Sequence, residues 1–253
     1  MKKYELTDDT ITVGSRILHR IKALKDFADV EEGELGGYVE KEDNLDHSGE
    51  AWVSEDAQVY GNARVCGDAR VGGDAWVSGD AQVGGDAWVC EDAQVYGNAQ
   101  VYGNARVCGN ARVSGNAWVY GNARVSGDTW VCGNARVSGD TQVCGNAQVS
   151  GDTWVCGNAQ VSGDTWVCGN AQVCGNARVS GNDDYTTAKG FGHMCRTTTF
   201  FRLKDGGIGV RCGCFYGTLD EFRKKVKETH KESKLGKEYL MLADLMEYKF
   251  KDE

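Results

Sequence analysis

Proline is absent from the 253 residues, and glycine, at 35, falls far short of one in three, so a collagen-like chain is excluded. With 41% hydrophobic and 26% charged residues, a fully disordered chain is excluded too, and one or two soluble domains are expected. Positive charge is in deficit: 28 Lys and Arg stand against 37 Asp and Glu, a net −9, which does not support a strongly basic nucleic-acid-binding face. No apolar run approaches the ~20 residues of a membrane span. The opening stretch MKKYELTDDTITV has acids where a secretory signal would place its apolar core. Export is therefore not expected, and the setting is read as cytoplasmic and reducing. Histidine is scarce, with four in all: His19, His47, His193 and His230. Cysteine is not scarce, but eleven is an odd number for a disulfide framework.

What is present is a ruler of six. From Ala51 to Asn182 the pattern [AT]-x-V-x-G-[ND] recurs without an insertion, placing valine at 53, 59, 65 and every sixth position to 179, over 22 consecutive hexads. Repetition on this scale decides the fold before propensity does. Ala or Thr two before each Val shares one side of a short strand with it, and the residue between them points the other way. The following Gly-Asn or Gly-Asp supplies a corner, because glycine pays no Cβ penalty at positive φ and Asn or Asp tolerate that region. Three strands and three corners make a triangular coil of 18 residues. The hexads then give about seven coils, roughly 35 Å long at the ~4.8 Å strand spacing.

This spacing resembles the hexapeptide-repeat, left-handed parallel β-helix superfamily, whose motif is an aliphatic residue every six with a small residue two before it. The resemblance covers about half the chain and implies the handedness, which the period alone does not fix. It is specific for fold and far less so for activity, because the superfamily holds acyltransferases, carbonic anhydrases and proteins without known chemistry. Its acyltransferases carry a catalytic histidine near a coil corner and an extruded loop. The hexads here contain no histidine and no loop, and the several histidines of a zinc enzyme are missing from them too. An enzyme on the prism is accordingly not expected.

All seven tryptophans occupy the outward column between Ala and Val: Trp52, Trp76, Trp88, Trp118, Trp130, Trp154 and Trp166; the other hexads place only Arg or Gln there. Residues 18 apart are neighbours on successive coils, which stacks Trp52, Arg70, Trp88 and Arg106 in one ladder and Trp118, Arg136 and Trp154 in another. Two roles are open to these ladders. They stabilise the faces through Arg on Trp and Gln on Gln contacts, or they form a binding surface, with Trp76, Trp130 and Trp166 on one face and Trp118, Arg136 and Trp154 on another as candidates. Sorted by phase, no face is favoured, and between 127 and 170 the text repeats by twelve (SGDTWVCGNA), a period that does not divide the coil. Eight cysteines sit just after Val, at 66, 90, 108, 132, 144, 156, 168 and 174. Cys90 with Cys108, and Cys156 with Cys174, come within disulfide range, but the reducing setting favours free thiols. Asp56, Asp74 and Asp92 stack at one corner, where turn geometry accounts for them without a cation.

The ends differ from the middle. Residues 1–50 form a β cap with a lead-in: Thr10–Lys22 reads as strand, Gly-Ser turn and strand, and Val39 and Leu45 drift into register before Val53. Residues 51–182 are the repeat. Residues 183–253 read as a small α+β domain of ββαα order. Thr197–Lys204 and Ile208–Phe215 pair around Asp205-Gly206-Gly207, a capping box at Thr218 to Glu221 opens a helix to about Lys231, and a second helix spans about Lys237 to Phe250. Here lie the metal candidates His193, Cys195, Cys212, Cys214 and His230. Their spacings are weaker than paired C-x-x-C knuckles, and alternation puts Cys212 and Cys214 on one strand face, where core packing also explains them. The whole layout resembles uncharacterised hexapeptide-repeat proteins of gut bacteria and their phages, which implies no established activity.

The sequence thus leads to a mainly β protein acting as a non-enzymatic, rigid scaffold or binding protein, with specific interaction through the C-terminal domain. The competing readings are an acyltransferase-like enzyme and a phage-borne inhibitor that sequesters a small host ligand. No catalytic residue and no cofactor is expected, zinc being the one candidate metal. A protein partner or a small ligand is expected rather than a membrane or nucleic acid, with the chain a monomer or a homo-oligomer such as a trimer.

Overall fold

The computed structural model describes residues 2–191 and 196–251. Each hexad forms a two-residue strand, from β4 (Trp52–Val53) to β25 (Arg178–Val179), and strands 18 residues apart pair in parallel, Val on Val. Three sheets result, winding a β-solenoid whose interior is stacked Val with Ala or Thr, all buried. The corner glycines hold φ near +70°, and a Cβ on Gly115 would come within 3.0 Å of the Gly133 backbone one coil on. Outside the corners, Asn side chains hand a hydrogen bond from coil to coil. Asn98 donates to Asn116 (3.1 Å), Asn116 to Asn134 (3.0 Å), and Asn134 to Asp152 (2.7 Å).

The lead-in supplies one more turn than the hexads alone predict, for about eight in all. Val39, in β3 (Leu35–Val39), pairs with Val59, and Leu45 bridges to Val65. Two extra residues between Leu45 and Val53 are absorbed around Gly49 (φ +69°), which lies so close over the Gly67 carbonyl that no side chain fits. The hairpin of β1 (Tyr4–Val13) and β2 (Arg16–Ala23) then continues one solenoid sheet antiparallel to β3, covering its first edge. Lys3 and Tyr4 plug the open end. The Lys3 ammonium reaches the carbonyl of Ala51, and the Tyr4 hydroxyl lies within 2.9 Å of the carbonyls of Glu42 and Leu45. Phe27 packs edge-on to Trp52, leaving that indole 1% exposed, so the cap removes one of the seven tryptophans from the outward surface.

The C-terminal domain has four strands rather than the two expected: β26 (Tyr185–Phe191), β27 (Arg196–Arg202), β28 (Ile208–Cys212) and β29 (Phe215–Thr218), antiparallel in that order. The Ile208–Phe215 segment is not one strand. Gly213 at φ +59° folds it into a two-residue hairpin in which Cys212 faces Phe215. Helices α1 (Leu219–His230) and α2 (Lys234–Lys249) follow, the first opened by the Thr218 to Glu221 capping box. β27 divides two cores. Phe201 points into the end of the solenoid and Phe200 into the cluster of Phe222, Val226, Leu242 and Met246. The domain thereby caps the last coil, held by Gln172 N donating to Thr199 Oγ1 (2.9 Å) and Lys204 N to the Asn176 carbonyl (3.0 Å).

Candidate functional site

The hairpin at Gly213 and the C-terminal turn of α1 leave a gap between them. The gap is a cavity of about 350 Å³, within the range of small-ligand sites. Its walls are apolar: Phe215, Phe222, Val226, Leu235 and Tyr239. Around them stand Arg196, Lys225 and His230, with Cys212 and Cys214, and no carboxylate among the described lining residues. The cavity is therefore greasy within and positive at its rim.

Of the five metal candidates, Cys212, Cys214 and His230 line this one cavity, while His193 and Cys195 lie outside the described residues. Cys212 and Cys214 do not share a strand face, as alternation suggested. The hairpin turns between them, so Cys212 is held within the domain and Cys214 is exposed. Thr198 donates to Cys212 Sγ at 3.2 Å, and Tyr239 lies on its other side at 4.0 Å. Burial pushes the Tyr239 phenol up to about 12, keeping it protonated. The His230 ring packs over Tyr239, with centroids 5.7 Å apart. Among the described residues no hydrogen bond joins Cys214 to His230, and no three His, Cys, Asp or Glu side chains gather into a group able to hold a metal. Arg196, Lys225 and Tyr239 were missed by sequence reasoning, since nothing in their local pattern distinguishes them from other strand and helix residues.

The other candidates dress the solenoid. Trp76, Trp130 and Trp166 stand on the face that continues into the N-terminal hairpin, and Trp118, Arg136 and Trp154 on another. All five of these indoles are exposed, Trp166 most at 58%. Arg136 lies between two of them, 5.4 Å from the Trp118 ring and 5.3 Å from that of Trp154; Arg112 covers Trp130 and Arg106 covers Trp88. These three arginines are spent on the indoles beside them, whereas Trp76 and Trp166 pair with glutamines. The in-phase Asp56, Asp74 and Asp92 are exposed at their corner and carry no candidate site.

The expectation of free thiols throughout the repeat is corrected at one place. Cys90 and Cys108, on adjacent rungs with Cα atoms 4.8 Å apart, are joined as a disulfide; Cys156 and Cys174 are not.

Fold and faces together define a repeat β-solenoid protein. Its segments 57–73, 63–79, 99–109, 105–121, 117–133, 131–145, 141–157 and 171–182 are similar to the family described as YdcK Beta solenoid repeat, a likeness confined to the prism. No curated protein matches the chain. Among the described residues no helix is long and apolar enough to cross a membrane.

Proposed function

We propose that the chain is a non-enzymatic, rigid scaffold whose specific binding is carried by the C-terminal domain, and that its prism belongs with the left-handed hexapeptide repeats. The observation that carries this reading is the Phe215, Phe222 and Leu235 cavity with its Arg196 and Lys225 rim. Apolar concavity and positive charge converge there. Apolar walls with a positive mouth suit an amphipathic anion: the walls gain from apolar area removed from water and the rim from opposite charge.

The test uses the full chain with 8-anilinonaphthalene-1-sulfonate, an aromatic anion of suitable size. Saturable binding of one equivalent, weakened about tenfold or more in Arg196→Glu and Lys225→Glu, is expected. Unchanged binding in both variants would remove the cavity from the reading. Incubation with acetyl-coenzyme A is expected to release no coenzyme A; turnover would instead establish the acyltransferase alternative.

A further inference from the structure

Two cysteines outside the cavity stand in a relationship that the scaffold does not use. Residues just after each valine stack 18 apart, and this register brings Cys90 onto Cys108, where the two are bonded. Cys156 and Cys174 repeat the register at the C-terminal end. Trp154 pairs with Gln172 and Val155 with Val173, and Cys156 N donates to the Val173 carbonyl at 3.0 Å, as Cys90 N does to that of Val107. Both thiols are free. A backbone frame that permits an S–S bond is therefore present twice, and reduced in one instance.

The surroundings of the second pair differ from those of the first. Cys174 is buried and is the neighbour of Cys156 one coil on, while Cys156 is half-buried and reachable from solvent. Arg211, on β28, bonds Gln172 Oε1 at 3.1 Å and sets its positive charge beside both sulfurs. The neighbouring Cys174 thiol, helped by Arg211, holds Cys156 below the ordinary thiol range, and the same pairing with burial pushes Cys174 up. One thiol is thus prepared to attack and its neighbour to follow. Cys174 also lies between Gln172 and Asn176, the two residues whose backbones dock the C-terminal domain.

We propose that Cys156 and Cys174 form a thiol–disulfide exchange site that takes a low-molecular-weight disulfide of the glutathione class as oxidant and closes a disulfide between adjacent coils beneath the C-terminal domain. The Cys156 proton goes to solvent and its thiolate attacks one sulfur of R–S–S–R, breaking that bond. Cys156–S–S–R forms, and the released RS⁻ takes a proton from solvent. Cys174 then attacks the Cys156 sulfur, its proton passing to the second leaving RS⁻. Two protein thiols are oxidised and one R–S–S–R is reduced to two R–SH. The site does not depend on the ligand cavity.

The experiment equilibrates the full chain across a series of reduced and oxidised glutathione, blocks free thiols with iodoacetamide, and maps chymotryptic peptides, which separate Cys156 from Cys174 by cutting after Trp154 and Trp166. A peptide pair linked through Cys156 and Cys174 should accumulate as the oxidised fraction rises. Cys174→Ser should halt at one glutathione on Cys156, and Cys156→Ser should leave Cys174 unmodified. In the reduced chain, alkylation of Cys156 should reach half its maximal rate at a lower pH than an ordinary thiol and move upward in Cys174→Ala, which leaves no donor at that position, a change that a purely structural cysteine would not show. Failure of the unsubstituted chain to form the link at any ratio would overturn the proposal, as would glutathione reaching Cys174 equally well in Cys156→Ser.

Discussion

Lys3 donates a 2.7 Å hydrogen bond from its ammonium to the Ala51 carbonyl, inside the cap and out of reach of solvent. Burial lowers its pKa from the ordinary 10.5 to about 8. Below pH 8 both folded and unfolded chains carry the charge, and the folded one bears the full cost of burying it. Between about 8 and 10.5 the unfolded chain binds more protons than the folded one, so stability from this group rises with pH. The stability of the unsubstituted chain should therefore gain on that of Lys3→Met across this window. Urea unfolding at several pH values checks it; Tyr4, whose phenol burial pushes up, opposes the trend in both chains and cancels in the difference.

The buried threonines offer a stabilising substitution. Thr129, Thr141 and Thr153 take the place of alanine in the core column, and their hydroxyls have no partner, whereas Thr165 donates to the Ser162 carbonyl at 2.6 Å. Thr→Val keeps the shape and removes the hydroxyl. Each of the first three should gain on the order of 1 kcal/mol, and Thr165→Val should lose ~0.5–1.5 kcal/mol. Shifts in the urea midpoint of opposite sign are the expected readout.

Glu91 occupies a corner that glycine fills in nearly every other hexad, at φ +59°. Glu91→Gly should stabilise by ~1 kcal/mol through release of left-handed strain, and Gly115→Ala should destabilise by at least as much, because it adds strain and contact with Gly133. Thermal unfolding of the two variants measures the pair.

The Trp118 and Arg136 contact lends itself to a double-mutant cycle. With the ring 5.4 Å from the guanidinium and the indole 42% exposed, a coupling of ~0.5–1 kcal/mol is expected between Trp118→Ala and Arg136→Ala. Coupling of this size marks the ladder as a stabilising device; additive effects would return its residues to the pool of binding candidates.

The hexads were fully legible in the sequence, because period, small residue and corner glycine all specify one backbone and nothing in the packing contests them. The ends were legible only in outline. Gly213 carried the signal of a two-residue hairpin within IGVRCGCF, masked by an apolar run that reads equally well as one strand. Tyr185–Phe191 has strand-forming residues, but Lys189-Gly190 interrupts the alternation on which a strand reading depends. For Trp52 and Lys3 there was no local signal at all. Their burial is decided by the hairpin and by Phe27 folding over the first coil, contacts that no window of sequence contains. The cavity is of the same kind: Cys214 and His230 come to line it only once the sheet and α1 are set beside each other.

The twelve-residue text between 127 and 170 has a geometric consequence on a three-sided coil. Gaining or losing one such unit still stacks valine on valine through the prism, with new partners where it falls, yet advances the C-terminal domain by two faces of three. A duplication of this unit would act as an indexing step. It would re-aim the Arg196 and Lys225 mouth around the long axis by two thirds of a turn and move it only ~3 Å along it, so length changes in this chain reorient its terminal domain far more than they displace it.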